Sequence, residues 1–493
     1  MWCNFILLAI FFGLWLTRWS RWLAIFQQKE YRWDRIMAYL GTASGLEDLW
    51  RWWPHPNQLT QNGFKRPKLT ARVGLLALLS FLITLATVLV ICRLSCEIFG
   101  LILLIMVWFL PVVIAFCNFP VSYFVRILTR VFLLLAARKI SAKKPLIIGI
   151  TGSYAKSSTK HLTAFLLLMA QSVLVSPRSV NTPLGVAIFL LRHYRHQPMI
   201  VLEYAAYKKG EIDLLARHFP PSLVAITGLT AQHLALFGSV EKIIEAKSEL
   251  IMAMTPQGSV FFNPRDKGAM QIAELGQKNC PHQVLVQSYT DAILPWQYQQ
   301  VGLNQFGQLY FSLEGKKVQT QLMGSHYLNV VQGAVALAKA AGLNIKLIRT
   351  GLEQFKPDRS FIHLIHDSRG FALLDDGRTA NPAGFEAALQ LAIKLRTSLH
   401  KKRLILVTSG MIDLGSQEES IHHQLAQAGC EEIDMVIYLD KSGKNVFKTI
   451  YQDRLLEDLD SIWQLLHNLK SNDLVWVEGR LPPQIAHYLG VSQ

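Results

Sequence analysis

Leu146-Ile-Ile-Gly-Ile-Thr-Gly-Ser-Tyr-Ala-Lys-Ser-Ser-Thr-Lys160 decides how this chain is read. Leu146 to Thr151 is apolar enough for a buried strand, and the small and hydroxyl residues after it suit a tight turn opening onto a helix. Backbone N–H groups of such a turn, at a helix N-terminus, cradle polyphosphate. Gly152, Ser153, Ala155 and Ser158 would supply the cradle, Lys156 a point charge, and Ser157 a hydroxyl for Mg²⁺. The implied chemistry is use of ATP. The spacing departs from Gly-x4-Gly-Lys-Ser: Ile150 stands at the first glycine position and Ala155 directly before the lysine. A Cβ at Ala155 is tolerable only if its φ is negative. Taken alone, the stretch also reads as a plain Gly/Ser turn.

Around this loop, short β-branched runs alternate with helical patterns. The runs are Leu146 to Thr151, Met199 to Glu203, Leu223 to Thr227 and Ser259 to Asn263. That order predicts a mostly parallel sheet wrapped by helices, a P-loop-type central ATPase domain over residues 143–358. Phe371 to Leu374, Leu404 to Ser409, Met435 to Leu439 and Leu474 to Val477 suffice for a smaller Rossmann-like α/β domain over 359–493. The fold class is therefore α/β, behind an N-terminal membrane region.

A chain of 493 residues exceeds one ordinary core, and its 51% hydrophobic content is concentrated at the front. Val73 to Cys92 is an uncharged stretch long enough to cross a bilayer as a helix. Ile98 to Val125 is a second, interrupted by Pro111 and Pro120, and Met1 to Thr17 a shorter third. Residues 1–142 are thus expected to form an anchor of about three transmembrane helices. Trp19 to Leu40 reads as an interfacial helix, Pro54 to Pro67 as a polar loop, and Pro120 to Ile140 as an amphipathic exit helix. Basic residues follow the first apolar stretch, from Arg18 and Arg21, where a signal peptide would have them in front; an uncleaved anchor is expected. Ten basic residues against four acids between the first two spans make that loop cytoplasmic. The short turn Arg93 to Glu97 then lies outside, and everything after the third span lies on the cytoplasmic side of the cell inner (plasma) membrane. The net charge of +16 is assigned to lipid headgroups, so the bilayer is the expected partner and nucleic acid is not. The six cysteines show neither metal nor disulfide spacing.

Polar residues recur at the C-terminal ends of the expected strands, where open α/β sheets bind ligands. Glu203 ends Met-Ile-Val-Leu-Glu and could hold Mg²⁺ opposite Ser157; alone it equally suits a solvated strand end. His233 sits in Thr-Gly-Leu-Thr-Ala-Gln-His, where a lone histidine is more often structural, and Lys247 in Glu-Ala-Lys-Ser-Glu defaults to a helix surface charge.

Taken in order, these segments resemble the Mur ligase family, from about residue 145 to the C-terminus. Thr151 to Lys160 is similar to its ATP loop and Asn181-Thr-Pro-Leu-Gly185 to its substrate-side turn; Glu203 through Gly210-Glu-Ile212, His233-Leu-Ala-Leu-Phe-Gly-Ser239 and Ala246-Lys-Ser-Glu249 follow in the family's order and spacing. Asp375-Asp-Gly-Arg-Thr-Ala-Asn-Pro382 and Gly410-Met-Ile-Asp-Leu-Gly415, with His422 after it, resemble segments of its C-terminal domain. The resemblance implies that Lys156 contacts the β and γ phosphates and that Ser157 and Glu203 hold one Mg²⁺ and His233 a second. It implies that Lys247 is carbamylated, and that Arg359 and Asp376 reach the nucleotide. Asn181, Thr182, Arg378 and Asn381 fall on the substrate side. It further implies an ATP-dependent carboxylate–amine ligase acting through an acyl phosphate, adding an amino acid or a dipeptide such as D-Ala-D-Ala to a peptidoglycan precursor. Departures remain. Tyr327 and Val330 stand where the family has asparagines, leaving Asn329 for adenine, and membrane segments take the place of the family's UDP-binding domain. A lipid-linked acceptor therefore stays open, as do a polyglutamate or cyanophycin-type ligase, a non-catalytic membrane-bound nucleotide-binding protein and, more weakly, a transport ATPase.

Overall fold

The computed structural model describes residues 2–51, 67–93, 99–177, 180–206, 208–230, 237–293, 298–359, 361–377, 381–411, 414, 417–440 and 443–491. It divides into two compact units, Met1–Val131 and Phe132–Gln493.

In the first unit the described residues form only helices, Trp2–Gln28, Trp33–Leu40, Ala43–Trp50, Ala71–Arg93 and the start of Phe99–Ser141. Among the described residues two helices are long and apolar enough to cross a membrane, Ala71–Arg93 and Gly100–Ser141. The expected third span, Met1 to Thr17, is part of a longer helix outside that pair, and the expected loop Pro54 to Pro67 and most of the turn Arg93 to Glu97 lie outside the described residues. Pro111 and Pro120 do not break the second span from its exit helix: one helix of 43 residues runs through both. Each proline removes one i→i−4 hydrogen bond and crowds the carbonyl a turn earlier; Leu103, Val107, Leu110, Ile114 and Cys117, buried on one face, retain the helix. Several polar groups inside this unit are paired. Arg18 donates to the carbonyls of Leu49 and Arg51, and Asp48 meets both Arg21 and Tyr39.

The described residues of the second unit form three sheets. The central one is built from β1 (Leu146–Thr151), β2 (Val173–Val175), β3 (Met199–Glu203), β4 (Leu223–Ile226), β5 (Ser259–Phe262) and β6 (Leu285–Ser288), all parallel, in the order β2-β3-β1-β4-β5-β6. Both faces are covered, so alternate residues enter different cores. Ile148, Ile150, Val201 and Ala225 pack with Leu162 and Leu166 of the helix Lys156–Leu168; Ile147, Ile200, Leu202, Val224 and Ile226 pack with the helices on the other side. This burial on both faces is why the strands read as continuous apolar runs. Leu133, Ala136 and Ile140, at the end of the 43-residue helix, join the second of these cores.

β7 (Tyr298–Leu303), β8 (Gln308–Leu313) and β9 (Lys316–Met323) form an antiparallel sheet that the sequence pattern did not announce. The third sheet, β10 (His363–His366), β11 (Ala372–Asp376), β12 (Arg403–Thr408), β13 (Met435–Tyr438), β14 (Leu455–Leu456) and β15 (Asp473–Glu478), runs β10-β11-β15-β12-β13-β14. Only β10 is antiparallel to its neighbour. Its inner face, with Leu374, Leu406 and Trp476, shares one apolar cluster with the central sheet through Tyr327 and Phe361. The Tyr327 hydroxyl, 3.1 Å from the backbone N–H of Ile362, accepts from it and pins the connection between the two sheets.

Candidate functional site

β1 delivers the chain into a turn at Gly152, whose φ is +147° and where a Cβ would stand 2.0 Å from Thr227 Oγ1. Only glycine fits there. The Thr227 hydroxyl in turn donates to the Tyr154 carbonyl at 2.5 Å, tying the loop to the end of β4. The Tyr154 hydroxyl donates to Asp266 at 2.8 Å, a second tie to the loop after β5. The helix Lys156–Leu168 then begins, with Ala155 at its N-cap. Ala155 has φ +56° and ψ 4°, so the negative φ that the sequence requires of an alanine here is not what the loop adopts. The backbone takes the glycine conformation and keeps the cradle's shape, at a cost of about 1–2 kcal/mol for a Cβ in the left-handed region.

Four side chains converge beneath that loop. Glu203, 3% exposed at the end of β3, accepts from Ser157 Oγ at 2.8 Å and from Lys160 Nζ at 3.3 Å. Lys160 is fully buried and also donates to the Pro177 carbonyl. Lys156 is half-buried and curls back, its Nζ on the carbonyls of Gly152 (2.8 Å) and Ser153 (3.1 Å). Lys247, 5% exposed, reaches the same Gly152 carbonyl at 2.8 Å. Neither bland reading survives: Glu203 is no solvated strand end and Lys247 no surface charge.

The electrostatics follow from this crowding. Burial pushes Glu203 up, but the cations of Lys156 and Lys160 and the hydrogen bonds from Ser157 and Lys160 outweigh it and hold the carboxyl below its usual range. Burial lowers Lys156, and Lys160 lowers it further against the pull of Glu203. Lys247 is driven well below the usual lysine range by burial and then by the Lys156 cation, against the pull of Glu203. A pocket with more lysine than carboxylate suits an anion of high charge.

Ser157 Oγ and Glu203 are hard oxygen donors of the kind Mg²⁺ takes together with substrate phosphates. Among the described residues no three His, Cys, Asp or Glu side chains cluster as a metal cage. His233 and Arg378 lie outside the described residues.

The remaining expected residues are more dispersed. Thr182 accepts from Gly185 N at 3.3 Å and Asn381 from Gly384 N at 2.9 Å; each is the N-cap of a helix opened by proline. Asn181, beside the first cap, is half-buried. Arg359 is exposed, while its neighbour Asp358 lies 3.4 Å from His161 on the phosphate-loop helix. Asn329 is half-buried in the helix Tyr327–Ala340, its Oδ1 without a partner. Glu249 caps the helix Glu211–His218 by accepting from Gly210 N and Asp213 N, so this acid of the Ala246–Glu249 segment is structural. His422 accepts from Met411 N at 3.1 Å and sets the loop after β12. Asp376 ends β11 directly beside Glu478, which ends β15.

Two residues escaped the sequence reading. Lys160 lies one helical turn after Lys156 and therefore on the same face. Glu478 follows Val477 at a strand end, the same signal that singled out Glu203.

Residues 150–338 match the family model described as the Mur ligase middle domain. The UDP-N-acetylmuramoyl-tripeptide–D-alanyl-D-alanine ligase of Mycobacterium bovis is 30% identical over 57% of this chain and 55% of its own length. The enzyme of the same name from Bacillus subtilis is 27% identical over 67% of this chain and 72% of its own. This chain therefore spans only about half the length of the mycobacterial relative. In fold, the MurF ligase of Thermotoga maritima in complex with ADP covers 73% of this chain and 82% of its own, at 20% identity and a TM-score of 0.61.

Proposed function

From a chain that carries the Mur ligase middle domain, we infer an ATP-dependent carboxylate–amine ligase that works through an acyl phosphate. The observation that carries this reading is the pocket under the loop, where Lys160 pairs with Glu203 while Lys156 and Lys247 both reach the Gly152 carbonyl. The relatives' names point to a UDP-N-acetylmuramoyl-tripeptide as the carboxylate and D-alanyl-D-alanine as the amine, and so to peptidoglycan precursor assembly. They do not favour a polyglutamate-type ligase. Ala155, the main reason for a non-catalytic reading, leaves the loop in its glycine-like shape.

The chain's residues divide the work. With a triphosphate in the cradle, Lys156 exchanges its loop carbonyls for β- and γ-phosphate oxygens, and loop N–H groups take the rest. An acceptor carboxylate then attacks the γ-phosphorus, forming its O–P bond as ADP leaves. Mg²⁺, held by Ser157 and Glu203 with His233 assigned by resemblance to a second ion, would supply neutralisation of the phosphate charge. Lys160 keeps Glu203 ionised. Lys247, whose ammonium form burial disfavours, would take up CO₂ through its free amine with loss of a proton, leaving a carbamate that accepts where the lysine donated. Arg359, Asp376 and Asn329 would close on the nucleotide from the hinge and second domain, with Asn181, Thr182, Arg378 and Asn381 on the substrate side. The apolar helices would hold the ligase domains at the cytoplasmic face of the inner membrane, where a lipid-linked acceptor is the alternative to a UDP-linked one.

Mass spectrometry of products tests this. Detergent-solubilised protein incubated with ATP, Mg²⁺, D-alanyl-D-alanine and UDP- or lipid-linked tripeptide should yield the amide, ADP and phosphate. ATP hydrolysis indifferent to every acceptor, or no turnover at all, would contradict the ligase reading.

A further inference from the structure

Asp376 and Glu478 are register partners at the C-terminal ends of the adjacent parallel strands β11 and β15. Both continue the sheet face of Leu374 and Trp476, which is turned toward Tyr327 and the core shared with the central sheet. Asp375, one residue earlier, belongs to the other face, where its carboxylate accepts from Gly377 N. Glu478 is 1% exposed, and neither of its oxygens has a hydrogen-bond donor. Two ionised carboxylates cannot donate to each other, so the pair is held together only if it shares a proton. Burial pushes Asp376 up to about 8, with Asp375 adding to it and the hydrogen bond with Glu478 opposing it; burial and then Asp376 push Glu478 well above its usual value. Such an arrangement costs free energy unless something is meant to enter it. Phosphate would be repelled, and no metal cage of three acids or histidines exists among the described residues. A small organic cation has the complementary charge.

We propose that the Asp376–Glu478 pair seats the incoming amine, binding its ammonium group and removing one proton before attack. The proposal rests on the ligase reading above and adds the amine's subsite to it. Carrying one shared proton, the pair has one negative charge; it accepts a proton from R–NH₃⁺ and becomes neutral, leaving R–NH₂. The nitrogen lone pair attacks the acyl-phosphate carbon, a C–N bond forms, and the C–O bond to phosphorus breaks with its electrons on phosphate. The second nitrogen proton leaves with that phosphate as HPO₄²⁻. An α-amino group has a pKa of about 8, so a carboxyl pair raised into the same range is matched to the transfer. Asp376 has two oxygens, and contact with a ribose hydroxyl is compatible with membership of the pair.

The test compares two nucleophiles on the full-length protein with ATP, Mg²⁺ and UDP-N-acetylmuramoyl-tripeptide. D-Alanyl-D-alanine must lose a proton; hydroxylamine is largely unprotonated at neutral pH and traps the acyl phosphate as a hydroxamate. Glu478→Gln should slow amide formation about 100-fold, within the range of a lost general base, and raise KM for the dipeptide about tenfold. Hydroxamate formation should stay within about threefold, since it bypasses proton removal. A Glu478→Asp variant should recover part of the amide rate, and it carries the same comparison if the glutamine variant does not fold. Equal loss of both products, or of neither, overturns the proposal. If wild-type protein makes neither product, the ligase reading itself fails and takes this proposal with it.

Discussion

Glu203 and Glu478 occupy equivalent places, each ending an inner strand of a parallel sheet and each almost wholly buried. Their chemistry is opposite. Glu203 has Ser157 and Lys160 as donors with Lys156 nearby, and stays ionised. Glu478 has Asp376 for a neighbour and no donor, and is driven toward its neutral form. Position in a parallel sheet thus selects where a functional carboxylate sits, while the partners brought by the flanking loops decide whether it faces phosphate and metal or a cation.

The comparison breaks most visibly if its anionic half is not a phosphate site. Lys156→Ala should lower acceptor-dependent ADP release by roughly 10²–10³-fold, the scale of losing one charge-stabilising donor, with secondary structure by circular dichroism unchanged. Lys160→Met asks whether Glu203 needs its buried cation. Removing one partner of a buried pair costs about 3–5 kcal/mol, so a denaturant midpoint equal to wild type would show that Ser157 and Lys156 suffice.

Linkage sharpens the contrast because the two carboxylates have opposite signs. Asp376 and Glu478 have folded pKa values above their unfolded ones, so their contribution is complete below about pH 4 and is lost progressively as pH rises above that, through about 8 for Asp376 and through its own raised value for Glu478. Glu203, depressed in the folded state, contributes above its unfolded pKa and loses that contribution as pH falls through its lowered value. Thermal midpoints should therefore decline as pH rises from about 4 into the alkaline range, and Glu478→Gln should flatten that decline while leaving the loss at lower pH, set by Glu203, in place. The smallest effect is expected at Ala155, where glycine relieves a left-handed alanine; Ala155→Gly should raise stability by about 1 kcal/mol or less, read from denaturant unfolding.

Much of this was legible in the sequence. The runs over β1, β3, β4 and β5 are buried on both faces and so stand out as apolar stretches, and the loop after β1 carries its own signature. β2, with only three residues, and the half-exposed strand β7 lack that signal. Pro111 and Pro120 point to a break, yet the helix continues through both, which only packing of its buried face reveals. Thr182 and Asn381 read as substrate contacts, and the structure adds why a Pro follows each: both cap helices. Lys160 and Glu478 carry ordinary periodic signals, one turn beyond Lys156 and one residue beyond Val477. What sequence could not supply was their isolation from solvent.

Nucleotide binding by the full-length protein tests the central claim most directly. Titration of Mg²⁺–ADP followed by thermal unfolding should raise the midpoint of wild-type protein and of Glu478→Gln alike, and should leave Lys156→Ala unmoved. Wild-type protein whose midpoint ignores Mg²⁺–ADP, or a Lys156→Ala variant that responds as wild type does, would contradict a polyphosphate seat beneath the loop.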